Sequence, residues 1–154
     1  MNIELTPIAY VKNQRTQIED DNWSMITSEI VLVDDIISES LIGIEEFSHL
    51  QIIFYMDQVK DEKAIAQFRH PRNNTQLPKL GTYAQRNKNR PNKLGLTTVE
   101  LVEVKPRSLI VDKLDAIDGT PILDIKPVMT AFQPQGEIRE PDWVVEIMKN
   151  YWNR

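Results

Sequence analysis

Between Arg69 and Val99 the chain carries seven cations and no acid: Arg69, Arg72, Lys79, Arg86, Lys88, Arg90 and Lys93. Asparagine and glutamine are interleaved with them, as in Gln85-Arg86-Asn87-Lys88-Asn89-Arg90-Pro91-Asn92-Lys93. A guanidinium is a planar fork that fits carboxylate or phosphate. An amide side chain both donates and accepts, which suits a base edge. The net charge of −5 hides this tract, because the other 11 cations face all 23 acids, a balance of −12. The tract reads either as a solvated polar loop or as the docking face for one anionic partner.

A second cluster is acidic. Asp115, Asp118 and Asp124 fall close together around Asp118-Gly119-Thr120-Pro121, which has the composition of a tight turn. Carboxylates there either cap turns through backbone hydrogen bonds or hold hydroxyls and act as general bases. Their spacing fits no calcium loop. Of the two histidines, His49 precedes an apolar run and reads as structural, while His70 lies in the cationic tract and is the better base candidate. With no cysteine there is no disulfide, thiolate metal site or cysteine nucleophile, and no metal is expected. No GxSxG, Walker or GxGxxG pattern occurs.

The elements that must position these groups are mostly strands. Runs at 3–11, 28–33, 50–56, 81–85, 97–104 and 108–112 are β-branched or alternating and bounded by turn residues. In the fifth run, Val99, Leu101 and Glu103 face one way, and Glu100 and Val102 the other. Helical expectation is limited to one turn near 44–49, a short segment at 61–68 and a C-terminal helix. In the last, Trp143, Val144, Ile147, Met148, Tyr151 and Trp152 share one face behind Pro141. That face either closes the barrel or packs on a second protomer. The whole, 1–154, reads as one mainly β domain: a small antiparallel β-barrel with a short C-terminal helix. No apolar run reaches the ~20 residues of a membrane span, and the N-terminus lacks the order of a signal peptide, so a cytoplasmic location is expected.

Four ordered motifs carry a resemblance. They are Leu41-Ile42-Gly43-Ile44-Glu45-Glu46-Phe47-Ser48-His49-Leu50; His70-Pro71-Arg72; Gly81-Thr82-Tyr83-Ala84-Gln85-Arg86 with Arg90-Pro91-Asn92-Lys93-Leu94-Gly95-Leu96; and the stretch from Leu114 to Pro127. In this order and over most of the chain they resemble the TsaA-like (TrmO-type) family, as a short single-domain member.

That resemblance implies a β-barrel, S-adenosyl-L-methionine as methyl donor, a homodimer, and methylation of N6 of threonylcarbamoyladenosine at position 37 in a tRNA anticodon loop. It places cofactor contacts on Asp21, Asn22 and Trp23, on Asp57 and Gln58, on Arg86, on Leu96, and on Asp112, Lys113, Leu114 and Asp115. Chemistry suits these roles. Arg86 can clamp a carboxylate, Asp57 or Asp115 can hold ribose hydroxyls or an amino group, and backbone near Leu96 can read adenine. By residue type, His70, Asp118 and Asp124 are candidates for the catalytic base. Arg69, Arg72, Lys88, Arg90, Asn92 and Lys93 are candidates for holding RNA. The rival expectation is a non-catalytic, dimeric cofactor-binding protein with a regulatory or RNA-binding role.

Overall fold

The structure, a computed structural model, describes residues 1–153, so the last position of the expected 1–154 domain lies outside the described residues. Eight strands form among the described residues: β1 (Ala9–Lys12), β2 (Thr27–Leu32), β3 (His49–Tyr55), β4 (Phe68–Arg69), β5 (Leu80–Gly81), β6 (Leu94–Lys105), β7 (Ser108–Asp112) and β8 (Pro121–Pro127). One α-helix follows, α1 (Asp142–Met148). Six strands close a barrel in the order β1-β2-β7-β6-β3-β8, while β4 and β5 pair in a small separate ribbon. All barrel pairings are antiparallel.

Alternation builds the interior. Leu50, Ile52 and Phe54 of β3 point inward with Ile30, Val99, Leu109, Val111 and Ile122, and all are nearly or fully buried. Each such side chain contributes about 1.5–3 kcal/mol of burial free energy. Phe54 reaches across to Gly95, where a Cβ would stand 2.3 Å from its ring, so β6 needs glycine there. A register shift between Leu101 and Glu103 turns β6 over. Val104 rather than Glu103 therefore takes the half-buried position, and Glu103 stays exposed.

Four local expectations change. The run expected at 3–11 pairs as a strand only over Ala9–Lys12. The segment 61–68 makes only a short 3-10 turn, Asp61–Lys63, because so short an apolar stretch cannot offset helix nucleation. The run at 81–85 leaves the sheet at Thr82, whose backbone N–H donates to Gln67 O (2.8 Å) and whose hydroxyl accepts from Gln67 N (2.6 Å). The C-terminal helix stops at Met148, so Tyr151 and Trp152 do not continue its face.

The antiparallel order gives the barrel two distinct ends. Segments 13–26, 56–93 and 113–120 all emerge at one end, together with the start of β6 and the close of β7. Every candidate site residue except Asp124, which stands within β8, therefore belongs to the same end.

Candidate functional site

Four chain segments meet at this end. In the first, 13–26, Asn22 adopts a left-handed conformation (φ 66°) and Trp23 is buried. The indole N–H donates to Asp20 O (3.1 Å), and the Arg15 guanidinium covers the ring at 4.3 Å. Trp23 therefore anchors its loop, leaving neighbouring Ser24 at the surface of the site.

The C-terminal segment packs beside it. Asn22 N donates to Asn150 O (3.0 Å) and Trp23 N to Tyr151 O (2.9 Å). Ser24 Oγ lies 2.6 Å from the carbonyl oxygens of both Trp152 and Asn153. The Tyr151 hydroxyl then donates to Asp115 Oδ2, and Thr97 Oγ1 donates to Asp115 Oδ1. Burial, followed by the Asp115 charge, pushes the Tyr151 phenol well above its ordinary value. Tyr151 and Trp152 meet edge to face at 4.9 Å.

Next to this junction lies a cavity of about 500 Å³ lined by Ser24, Thr98, Lys113 and Trp152. It is an open, shallow depression rather than an enclosed pocket. A larger concavity borders Glu137, Ile138, Arg139 and Glu140 in the exposed linker before α1, and contains none of the expected residues. The first cavity is the chemically furnished one. Thr98 borders it from the outward face of β6. On that strand, close by, the Arg86 guanidinium donates to Leu96 O at 2.5 Å. Lys113, at φ 66°, places its ammonium 3.7 Å from Glu100. Asp112 accepts from Thr27 Oγ1 at 2.6 Å.

The remaining expected cofactor residues are placed differently. Leu114 is fully buried in the core, so only its backbone can face a ligand. Asp57 and Gln58 are exposed on the turn after β3 and hydrogen-bond to each other at 3.0 Å.

The base candidates all have structural partners. His70 Nδ1 lies 2.7 Å from Leu77 O and braces its own loop. Asp118 Oδ1 accepts from Asn13 N at 3.0 Å, the turn-capping role. Asp124 accepts from Ile125 N and pairs with Lys126 at 3.1 Å.

The cationic tract folds over the same end. Arg72 pairs with Asp21, and Lys93, only 8% exposed, pairs with Asp61 at 2.6 Å. Lys93 thus engages an exposed carboxylate; among the RNA candidates it is a loop clamp, with Asp61 held below and Lys93 above their ordinary values by that bond. Arg69 donates to Gln67 and Asn73, and Arg90 to Gln85 O while lying 6.0 Å over Tyr83. Asn92 is exposed in a left-handed conformation. Lys88 has no ion pair among the described residues. The five cations other than Arg72 and Lys93 are without a carboxylate partner among the described residues, so the tract keeps most of its charge.

Sequence reasoning missed Ser24, Thr97, Thr98, Tyr151 and Trp152. Thr97 had a readable signal: it shares the inward parity of Val99, and a buried hydroxyl needs a partner. The role of Tyr151 had none, since its spacing matched the helix.

Comparison with known proteins gives consistent matches. The family described as tRNA-methyltransferase O N-terminal domain matches residues 9–133. A human tRNA (adenine(37)-N6)-methyltransferase is 35% identical over 102 residues, 66% of this chain and 23% of that protein. An S-adenosyl-L-methionine-binding protein of Archaeoglobus fulgidus is 33% identical over 126 residues, covering 79% of this chain and 86% of its own length. A crystal structure of TrmO superimposes with a TM-score of 0.73 at 25% identity, over 91% of this chain and 64% of that one. The chain thus spans about a quarter of the human protein.

Proposed function

The chain belongs to the tRNA-methyltransferase O N-terminal domain family, and from that premise we propose that it is an S-adenosyl-L-methionine-dependent methyltransferase acting on adenine 37 of tRNA. The observation that carries this reading is the convergence, at one barrel end, of the Arg86–Leu96 pair, the Asp115 carboxylate and an acid-free cationic tract, beside a shallow surface depression. The nucleobase is that of the human relative; its finer form here is threonylcarbamoyladenosine.

The residues present fit the cofactor. Arg86 is exposed and has further N–H donors for a carboxylate. Asp115 has lone pairs beyond those used by Thr97 and Tyr151, which suit ribose hydroxyls or an ammonium. The exposed β6 edge near Leu96 offers an apolar surface for adenine. When bound, the cofactor supplies an electrophilic methyl group on sulfur.

The N6 lone pair is delocalised into the ring, so a proton acceptor or a polarising cation assists attack. By residue type Arg72, Arg90 and Asn92 suit the polarising role, Arg72 on release from Asp21. His70 and Asp118 remain base candidates by type, each having to exchange a structural partner to serve, whereas Asp124 stands within β8, apart from the end that gathers the others.

The protein works as a homodimer. Support comes from α1, which fully buries none of its residues and leaves Val145 67% exposed. Light scattering at micromolar concentration tests this, and a monomer there ends the dimer reading.

One observation favours a second reading. The relative whose length this chain matches best among those described is called a cofactor-binding protein, not a methyltransferase. Mass spectrometry of tRNA nucleosides from cells with and without the protein decides. An unchanged methylation level alongside tight cofactor binding selects the non-catalytic role.

A further inference from the structure

The family match ends at residue 133, yet residues 150–153 touch the candidate site directly. Their attachment is specific. Two backbone hydrogen bonds join them to Asn22 and Trp23, and the Ser24 hydroxyl engages the same segment. Trp152 borders the depression, while its neighbour Tyr151 hydrogen-bonds Asp115, which lies outside that lining, two residues beyond Lys113.

The Asp115 carboxylate has an unusual set of partners. No cation pairs with it among the described residues. Each oxygen instead accepts from one neutral hydroxyl, Thr97 on Oδ1 and Tyr151 on Oδ2. One donor on each oxygen restrains rotation of the group. Each oxygen keeps a lone pair, so the fixed carboxylate can accept two more hydrogen bonds in parallel. A pair of vicinal hydroxyls, or one ammonium, has the matching donors.

We propose that the C-terminal segment completes the cofactor site, with Tyr151 as a positioning residue that aims the Asp115 carboxylate at the ligand. This rests on the cofactor reading above. Tyr151 does not touch the ligand; it acts through Asp115. Trp152 supplies one wall of the depression from outside the family-matched residues.

The test measures binding of S-adenosyl-L-methionine by calorimetry to the full chain, to Tyr151→Phe, to Asp115→Asn and to the double variant. Loss of one hydrogen bond to a carboxylate predicts about tenfold weaker binding for Tyr151→Phe. Because Tyr151 works through Asp115, the double variant should bind no more weakly than Asp115→Asn alone. A purely structural tyrosine would weaken both backgrounds equally, and that additivity overturns the inference. So does full affinity in Tyr151→Phe. A wild-type chain that binds no cofactor overturns the cofactor reading itself, a distinct result. Should Tyr151→Phe fail to fold, Ser24→Ala releases the same segment from its other anchor, and the same non-additivity with Asp115→Asn is expected.

Discussion

Arg72 and Asp21, 51 residues apart, form a two-point ion pair at 2.9 and 3.3 Å that ties the cationic tract to the loop carrying Trp23. Both side chains are about 30% exposed, so screening by water is substantial and the pair contributes about 0.5–1 kcal/mol. Arg72 also sits at φ 51°, a conformation a non-glycine residue holds only when its surroundings fix it. Arg72→Ala should cost about that amount in urea unfolding. It should also speed proteolysis within 56–93, and an unchanged cleavage rate would mean the tract is held by its other bonds.

Arg86→Ala should weaken S-adenosyl-L-methionine binding by about 1.5–3 kcal/mol, the range for a hydrogen bond to a charged group. The substitution also frees Leu96 O. Calorimetry with the methylated and demethylated cofactor checks it, and equal losses with both forms are expected because they share the carboxylate.

Alkaline stability follows from Tyr151. Its phenol is raised by burial first and by the Asp115 charge second, so the native state holds this proton more tightly than the unfolded chain does. The stabilisation is complete below the unfolded value of about 10 and is lost as pH rises beyond it. Melting temperatures between pH 8 and 11 should therefore fall more steeply for wild type than for Tyr151→Phe. Parallel curves would show that other groups govern the decline.

Salt dependence tests the cations proposed to face RNA. Arg90 supports Gln85 O internally, so its removal would confuse folding with binding. Lys79 and Lys88 are cleaner probes, since neither has a carboxylate partner among the described residues. Removing one cation that meets a phosphate should flatten the plot of log affinity against log salt by about 0.7 for single-stranded RNA. The double variant Lys79→Ala, Lys88→Ala should thus lower the slope by up to about 1.4 with cofactor binding intact. The same slope as wild type would place the RNA elsewhere.

Strands with clean alternation were legible. β7 falls where expected at 108–112, and β2 and β3 lie within one residue of the expected runs. β8 was hidden, because a register shift between Ile53 and Phe54 on its partner breaks the periodicity around Asp124. The cationic tract was visible as charge, but its internal pairing was not: Lys93 and Lys88 look alike in sequence, and only folding puts Asp61 beside one of them. Tyr151 was read as part of an apolar helix face, since spacing alone cannot show that α1 ends three residues earlier. Pairing across long separations, as between Tyr151 and Asp115, leaves no local pattern at all.

Barrel closure sets the order in which this chain can acquire its shape. β6 and β7 meet across a two-residue turn, whereas β1 reaches β8 by pairing Ala9 with Ile122, 113 positions away. Bringing such distant ends together costs roughly 4 kcal/mol of chain entropy before any contact repays it. The local hairpin therefore precedes the closing seam, and folding is slow for the chain's size. The segments 13–26 and 113–120 flank that seam and carry Ser24, Lys113 and Asp115, so the cavity exists only after the last pair has joined. A ligand that occupies it acts as a latch on the entire barrel, and raises the unfolding free energy by mass action.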